Sequence, residues 1–97
     1  MDFTKEQIDA YKQQYGTIFR YRSTDGKSCL LKSPDLQTLD ACRIISGGSS
    51  IKFDIALVEN CFIAGDEEFK TNDKYRMGLF EWLGTIIQKV DGELEEL

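Results

Sequence analysis

The stretch of residues 57–69 constrains this chain most, because it has the pattern of a helix that is apolar on almost every side and breaks at a glycine into an acidic loop. Successive side chains on a helix are about 100° apart, so the apolar residues here and just before fall on two faces. One face contains Phe53, Leu57 and Cys61, and the other contains Ile55, Val58 and Phe62. A helix that is apolar on two faces has to be covered on both. In a chain of 97 residues, a partner molecule is one source of the second cover.

Capping signals predict two helices in the first half of the chain. The first begins at a capping box formed by Thr4 and Gln7 and stops at Gly16. The second begins with Ser33 as N-cap and Pro34 at the first helical position, and we expect it to reach about residue 45.

Apolar periodicity predicts two further helices. The third is the two-faced helix described above, which we expect at about 51–64 and predict to be the core of the domain. The fourth, at about 73–90, is amphipathic. Its apolar face contains Leu79, Phe80, Leu83, Ile86, Ile87 and Val90. Gly92 ends this helix, and we expect residues 92–97 to form a frayed tail.

A β-hairpin is predicted between the first two helices. The run of residues 18–22 alternates in polarity and is rich in β-branched and aromatic residues. Asp25 and Gly26 supply the turn. Since two strands alone are marginal in water, the hairpin either packs on the helices or joins the sheet of a neighbouring chain. Arg20 and Arg22 share one strand face, which we interpret as a solvated edge, with contact to an acidic partner as the alternative.

The expected fold is therefore α+β. We predict a mostly helical single domain over residues 1–97, with four helices and one β-hairpin between helices 1 and 2.

Charge and hydropathy exclude two classes of partner. The net charge is −5, the isoelectric point is about 4.6, and the 12 lysines and arginines are spread thinly. The basic footprint of a nucleic-acid-binding protein is therefore missing. No apolar run approaches the roughly 18 residues that a membrane-spanning helix needs. The polar, acidic beginning of the chain is unlike a signal peptide. We expect neither nucleic acid nor membrane as a partner, and a cytoplasmic location.

The three cysteines, Cys29, Cys42 and Cys61, are far apart in the sequence and odd in number. They form no CxxC motif. We interpret them as small buried hydrophobic residues with reduced thiols, which indicates a reducing cytosol.

Catalytic chemistry has little support in this sequence. The chain has no histidine, the commonest general base and the usual activator of a cysteine nucleophile. The acidic residues Asp66, Glu67 and Glu68, with Asp73, are a candidate for a hard-cation site. They lack the alternating spacing of a calcium loop, so we favour a solvated, helix-capping loop. We predict no enzyme activity, no cofactor and no metal.

Aromatic residues in the fourth helix are the stronger candidates for function. Tyr75 and Trp82 lie on its flank, roughly 80–100° from the centre of its apolar face. They are either the edge of the core or part of a binding surface, where tryptophan and tyrosine are enriched. With Ile55 and Phe62 of the third helix they are our predicted partner-binding residues.

The order of these elements, together with two motifs, resembles the small tail assembly chaperones of long-tailed bacteriophages and prophages. The first motif lies in the aromatic hairpin and the residues after it, and the second spans the end of the third helix and the acidic loop. The matching positions are Phe19, Tyr21, Leu31 and Pro34, then Leu57, Asn60, Cys61, Gly65, Asp66, Glu67 and Glu68. The chain departs from the family pattern at Ala64, where a second glycine is usual, and after Gly92, where it is acidic instead of lysine-rich.

The resemblance implies a function in the cytoplasm of a bacterial host. Such chaperones coat the helical tape-measure protein before the tail tube polymerises, often as multimers, and are absent from the finished particle. It therefore implies a non-enzymatic, homo-oligomeric, protein-binding module with a helical client. Two alternatives are a structural or adaptor component that stays in its complex, and a small acidic regulatory binding protein.

Overall fold

The computed structural model describes residues 2–97 and combines helices with a small antiparallel sheet, so the predicted α+β class is confirmed. Within those residues there are six helices and three strands. In chain order they are α1 (Lys5–Tyr15), β1 (Ile18–Arg22), β2 (Ser28–Lys32), α2 (Leu36–Ser46), α3 (Ser50–Cys61), β3 (Phe62–Gly65), α4 (Glu68–Thr71), α5 (Asp73–Phe80) and α6 (Leu83–Ile86). The prediction of four helices is wrong.

The capping box at the start of α1 is confirmed. The Gln7 amide donates to the Thr4 hydroxyl over 3.1 Å, and the Thr4 amide donates to the Gln7 side chain over 2.9 Å. These two bonds satisfy donors that the first turn of a helix leaves without partners. None of the residues of α1 is buried, so this helix lies on the outside of the protein.

The two predicted strands pair antiparallel between α1 and α2, but the arrangement differs in detail from a lone hairpin, because both strands belong to a three-stranded sheet with the order β1–β2–β3. β2 is the central strand, and its first four residues are buried. β3 pairs with it antiparallel, placing Phe62 opposite Leu31 and Gly65 opposite Cys29. β1 is left as an edge strand.

The third helix is therefore shorter than its apolar pattern predicts, ending at Cys61 instead of residue 64. The residues that follow, Phe62 and Ile63, are an aromatic and a β-branched residue, which favour strands when a partner edge is present. Gly65 is required by this pairing, because a Cβ there would lie 2.5 Å from the Cys29 Cα, and its φ is +136°.

The predicted fourth helix is broken in two and ends early. A turn at Glu81 and Trp82 separates α5 from α6, and α6 ends at Ile86 instead of residue 90. Amide-to-carbonyl bonds from Trp82 to Leu79 and from Thr85 to Trp82 make this turn tighter than an α-helix. Leu79, Leu83 and Ile86 are buried on the predicted face, whereas Val90 is fully exposed.

Two further local predictions are corrected. Asp35, not Ser33, caps α2, accepting a hydrogen bond from the Thr38 amide over 2.8 Å. The Ser33 hydroxyl instead donates to the Ile86 carbonyl over 2.6 Å, which ties the end of α6 to the loop before α2. The expected acidic loop contains the short helix α4, anchored by the completely buried Phe69.

The core lies between β2, α3 and the α4–α6 region. The prediction that α3 forms its centre is confirmed, since Leu57, Val58 and Cys61 are buried. Phe53 is partly buried against the same cluster. Within residues 2–97, no helix combines the length and the apolar character that crossing a membrane would require.

Candidate functional site

A groove of about 820 Å³ runs between the edge strand β1 and the α5–α6 pair, and we call it the β1–α5 groove. β1 lines one side with all of its residues from Phe19 to Arg22. The helices line the other side, chiefly with Tyr75, Gly78 and Trp82. The edge strand and the α5–α6 pair are therefore the two walls of this groove.

Three aromatic rings in edge-to-face contact connect the two sides of the β1–α5 groove. The Tyr21 and Phe69 ring centroids are 5.5 Å apart at 84°, and those of Phe69 and Tyr75 are 5.6 Å apart at 83°. Both are edge-to-face contacts, the favoured geometry for aromatic pairs. Gly78 leaves room for the Tyr21 hydroxyl, which would lie 2.9 Å from a Cβ at that position. Tyr75 is therefore held rigidly on the buried Phe69.

Polar contacts between the hairpin loop and α5 also lie in the lining of the groove. The Tyr75 hydroxyl donates to the Asp25 carboxylate, and the Ser23 hydroxyl donates to the other oxygen of the same carboxylate. Both hydrogen bonds lower the pKa of Asp25, and the bond from Ser23 has the larger effect. The bond to Asp25 raises the pKa of Tyr75. Nearby, Lys27 pairs with Glu68 over 3.3 Å.

Trp82 is the most exposed aromatic residue of the groove. It lies at the turn between α5 and α6, and 57 % of its surface is open to solvent. Its neighbours in the groove include the buried Leu79 and Ile86. A large, rigid aromatic side chain beside a concave apolar surface is typical of a protein-binding site.

The structure brings together two of the four predicted partner-binding residues. Tyr75 and Trp82 both line the β1–α5 groove. Ile55 and Phe62 do not line it, and both are partly buried. Phe62 lies in β3, at the opposite edge of the sheet from β1, and the Lys70 ammonium lies 4.6 Å from the centre of its ring. Tyr75 and Trp82 are therefore the two that share one concave surface.

Sequence reasoning missed the contribution of β1 to this site. Phe19, Arg20 and Arg22 line the groove because β1 is the edge strand and α5 lies beside it. The alternation of polarity in β1 predicts two faces but carries no signal for which edge of the strand stays open. That information lies in the pairing of β3 with β2.

The cysteines lie away from the groove and are shielded. Cys29, Cys42 and Cys61 are free thiols with no exposed surface. Burial, with a smaller contribution from Asp66, raises the pKa of Cys29 to about 12. Burial raises the pKa of Cys61 to about 11. Since the thiolate is the reactive form, these groups are poor nucleophiles at neutral pH.

The acidic residues of the predicted loop form a hydrogen bond and ion pairs with neighbouring residues of the chain. The Asp66 carboxylate accepts a hydrogen bond from the Ser28 amide over 2.9 Å. Glu67 pairs with Lys70 over 3.1 Å, and Glu68 with Lys27. In the described part of the chain, no group of three potential ligands is placed to hold a metal ion. Asp66 and Glu68 thus connect the start of β2 to the region of α4.

Comparison with known proteins adds no relative: no family model, curated protein or solved structure matches this chain.

Proposed function

We propose that this protein is a non-enzymatic protein-binding module that acts as a tail assembly chaperone of the phage type. In this proposal it self-associates and binds a helical, tape-measure-like client during assembly. The observation that carries the proposal is Trp82, which is 57 % exposed beside the β1–α5 groove. Trp82 and the apolar lining of the groove form one contiguous apolar surface, and contiguous apolar surfaces mark interaction sites.

The composition of the groove favours an apolar helix over a small polar ligand. Buried residues such as Leu31, Leu79 and Ile86 reach its surface, and the aromatic rings of Tyr75 and Trp82 project from one wall. An amphipathic helix binds such grooves by placing residues at every third or fourth position into them. A helical client is therefore the partner class that fits the groove best.

The test begins with the genes around this one. A tail assembly chaperone requires a long, helix-rich reading frame close by, and fragments of its product are the probes. We expect wild-type protein co-expressed with such a fragment to co-purify with it and to keep it in solution. If no fragment is bound or kept soluble, the client-binding proposal is wrong.

A matched pair of variants locates the binding surface. Met77 is 58 % exposed, almost the same as Trp82, and lies on α5 outside the groove. We expect Trp82→Ser to weaken capture of the fragment at least tenfold, because it removes a central aromatic contact. Met77→Ser should leave capture unchanged. Equal effects of the two substitutions would place the client elsewhere.

A further inference from the structure

No strand of residues 2–97 pairs with the outer edge of β1, because β1 is the first strand in the order β1–β2–β3. An exposed edge presents a row of backbone donors and acceptors that another strand can pair with. This edge is five residues long and borders the β1–α5 groove.

The open edge carries an arginine pair. Arg20 and Arg22 are exposed and share one face of β1, whereas Phe19 and Tyr21 share the other and pack against the core. Neither arginine forms a salt bridge within the described residues. Asp2 and Phe3 lie near them and line a small cavity together with both arginines. In a chain with net charge −5, an exposed pair of arginines without a salt bridge favours an acidic partner locally.

Residues 88–97, which we call the C-terminal segment, have a pattern of charge and polarity complementary to that of β1. The segment contains no helix or strand, and every residue in it is exposed. The apolar side chains of Val90, Leu94 and Leu97 are completely open to solvent. Around Leu94, the run Glu93–Leu94–Glu95 alternates acidic and apolar residues with the period of a β-strand.

We propose that the C-terminal segment of one copy of this chain adds as a fourth strand to the β1 edge of a second copy. Side chains that are opposite each other on neighbouring strands point to the same face of the sheet. When Leu94 lies beside Tyr21, it faces the aromatic side of the β1–α5 groove. Glu93 and Glu95 then both lie beside the arginine pair on the other face.

The shape of the chain points to a second copy as the recipient. A compact chain of this length has a radius of gyration of about 12.5 Å. The observed radius is 14.9 Å, and the longest dimension is 52 Å against 30 and 23 Å for the other two. Every residue of the C-terminal segment is exposed, and the segment forms no strand beside β1 of its own chain, which leaves it available to a second copy.

This inference rests on the proposed function in one respect: it names the surface by which the chaperone self-associates. The neighbour's segment occupies the β1–α5 groove when no client is present. Strand addition supplies affinity through backbone hydrogen bonds, and the alternating side chains supply specificity. The opposite charges on the two elements make the pairing specific for this chain.

The experiment is a charge exchange followed by sedimentation analysis. One variant carries Arg20→Glu and Arg22→Glu, and the other carries Glu93→Arg and Glu95→Arg. We expect the wild-type chain to associate and each variant alone to sediment as a monomer, because like charges then meet at the edge. An equimolar mixture should associate again, since each edge now meets a segment of opposite charge.

A control variant separates local from overall charge effects. Lys5→Glu with Lys52→Glu changes the net charge by the same amount as the arginine variant, at exposed positions outside the groove. We expect this control to associate like the wild type. Circular dichroism of every variant establishes that it is folded. A chain that lacks residues 88–97 is a second variant that we expect to be monomeric.

Three results would overturn the inference. The first is a wild-type chain that stays monomeric. This result counts against the inference whether the C-terminal segment is free or pairs with β1 of its own chain. The second is a mixture that does not associate although the wild type does, which would place the interface elsewhere. The third is a segment-deleted chain that still associates. Capture of the client fragment is measured separately, so monomeric chains that bind the fragment would refute this interface and the self-association, and would leave the client-binding part of the proposed function standing.

Discussion

The Tyr75 hydroxyl donates a hydrogen bond to the Asp25 carboxylate, which joins α5 to a hairpin loop 50 residues earlier in the chain. The sequence predicts that Asp25 forms part of a turn and that Tyr75 binds a partner. In the structure both residues line the β1–α5 groove, and we call their hydrogen bond the clasp. Neither local pattern contains this contact, because its partners are distant in the sequence.

Removal of this clasp is expected to loosen the hairpin loop. In Tyr75→Phe the ring still packs on Phe69, but the hydroxyl donor is lost. We expect faster amide hydrogen exchange in residues 23–27 and a lower midpoint of thermal unfolding. Tyr11→Phe, on the outer helix α1, is the control and should change neither. Unchanged exchange in the loop would show that the hydrogen bond does not hold it.

The clasp also predicts a dependence on pH. Hydrogen bonds from Ser23 and Tyr75 lower the pKa of Asp25 from its ordinary 3.8, so its stabilising effect is present above that value and is lost as the pH falls through the lowered pKa. The bond to Asp25 raises the pKa of Tyr75 from 10.0, so that contribution is lost as the pH rises above 10. Thermal unfolding across this range should show Tyr75→Phe approaching the wild type at both extremes. A constant difference at every pH would contradict this.

Leu57 should be among the most sensitive core positions. It is 1 % exposed at the centre of α3, and emptying a buried leucine site typically costs about 2–5 kcal/mol. We expect Leu57→Ala to lower the free energy of unfolding by that amount in urea titration. Leu36 is 84 % exposed, so Leu36→Ala should change it by less than about 0.5 kcal/mol. Similar values for the two substitutions would show that the core is not centred on α3.

Gly65 should tolerate no side chain. A Cβ there would lie 2.5 Å from both the Cys29 Cα and the Ser28 carbonyl oxygen, at a φ of +136°. Backbone strain of this kind costs on the order of 1–3 kcal/mol before the clash is relieved. We expect Gly65→Ala to separate β3 from β2 and to destabilise the fold strongly in urea titration. Gly84→Ala, in open space on α6, is the control and should not destabilise.

The thiols should be unreactive in the folded protein. All three cysteines are buried, and the pKa values of Cys29 and Cys61 are raised to about 12 and about 11. We expect no reaction with a thiol reagent at pH 8 in native conditions, and three equivalents after unfolding in denaturant. Rapid modification of a native thiol would indicate that the core opens locally.

Local sequence determined the features whose partners lie within a few residues. The Thr4–Gln7 capping box forms as predicted, because both groups belong to the first turn of one helix. The burial of Leu57, Val58 and Cys61 follows from the spacing of apolar residues in α3. The α+β class could be predicted for the same reason, since strand and helix patterns differ in period.

Tertiary structure decided the features that depend on distant partners. Phe62 continues an apolar helical pattern, yet it lies in a strand because the buried β2 offers a second edge for pairing. The break at Trp82 lets Leu83 and Ile86 reach the core from a separate short helix. The position of β1 at the open edge, and with it the groove, follows from this same pairing of β3. Periodicity reports which side of an element is apolar, but the choice of neighbour is made by contacts between residues far apart in the chain.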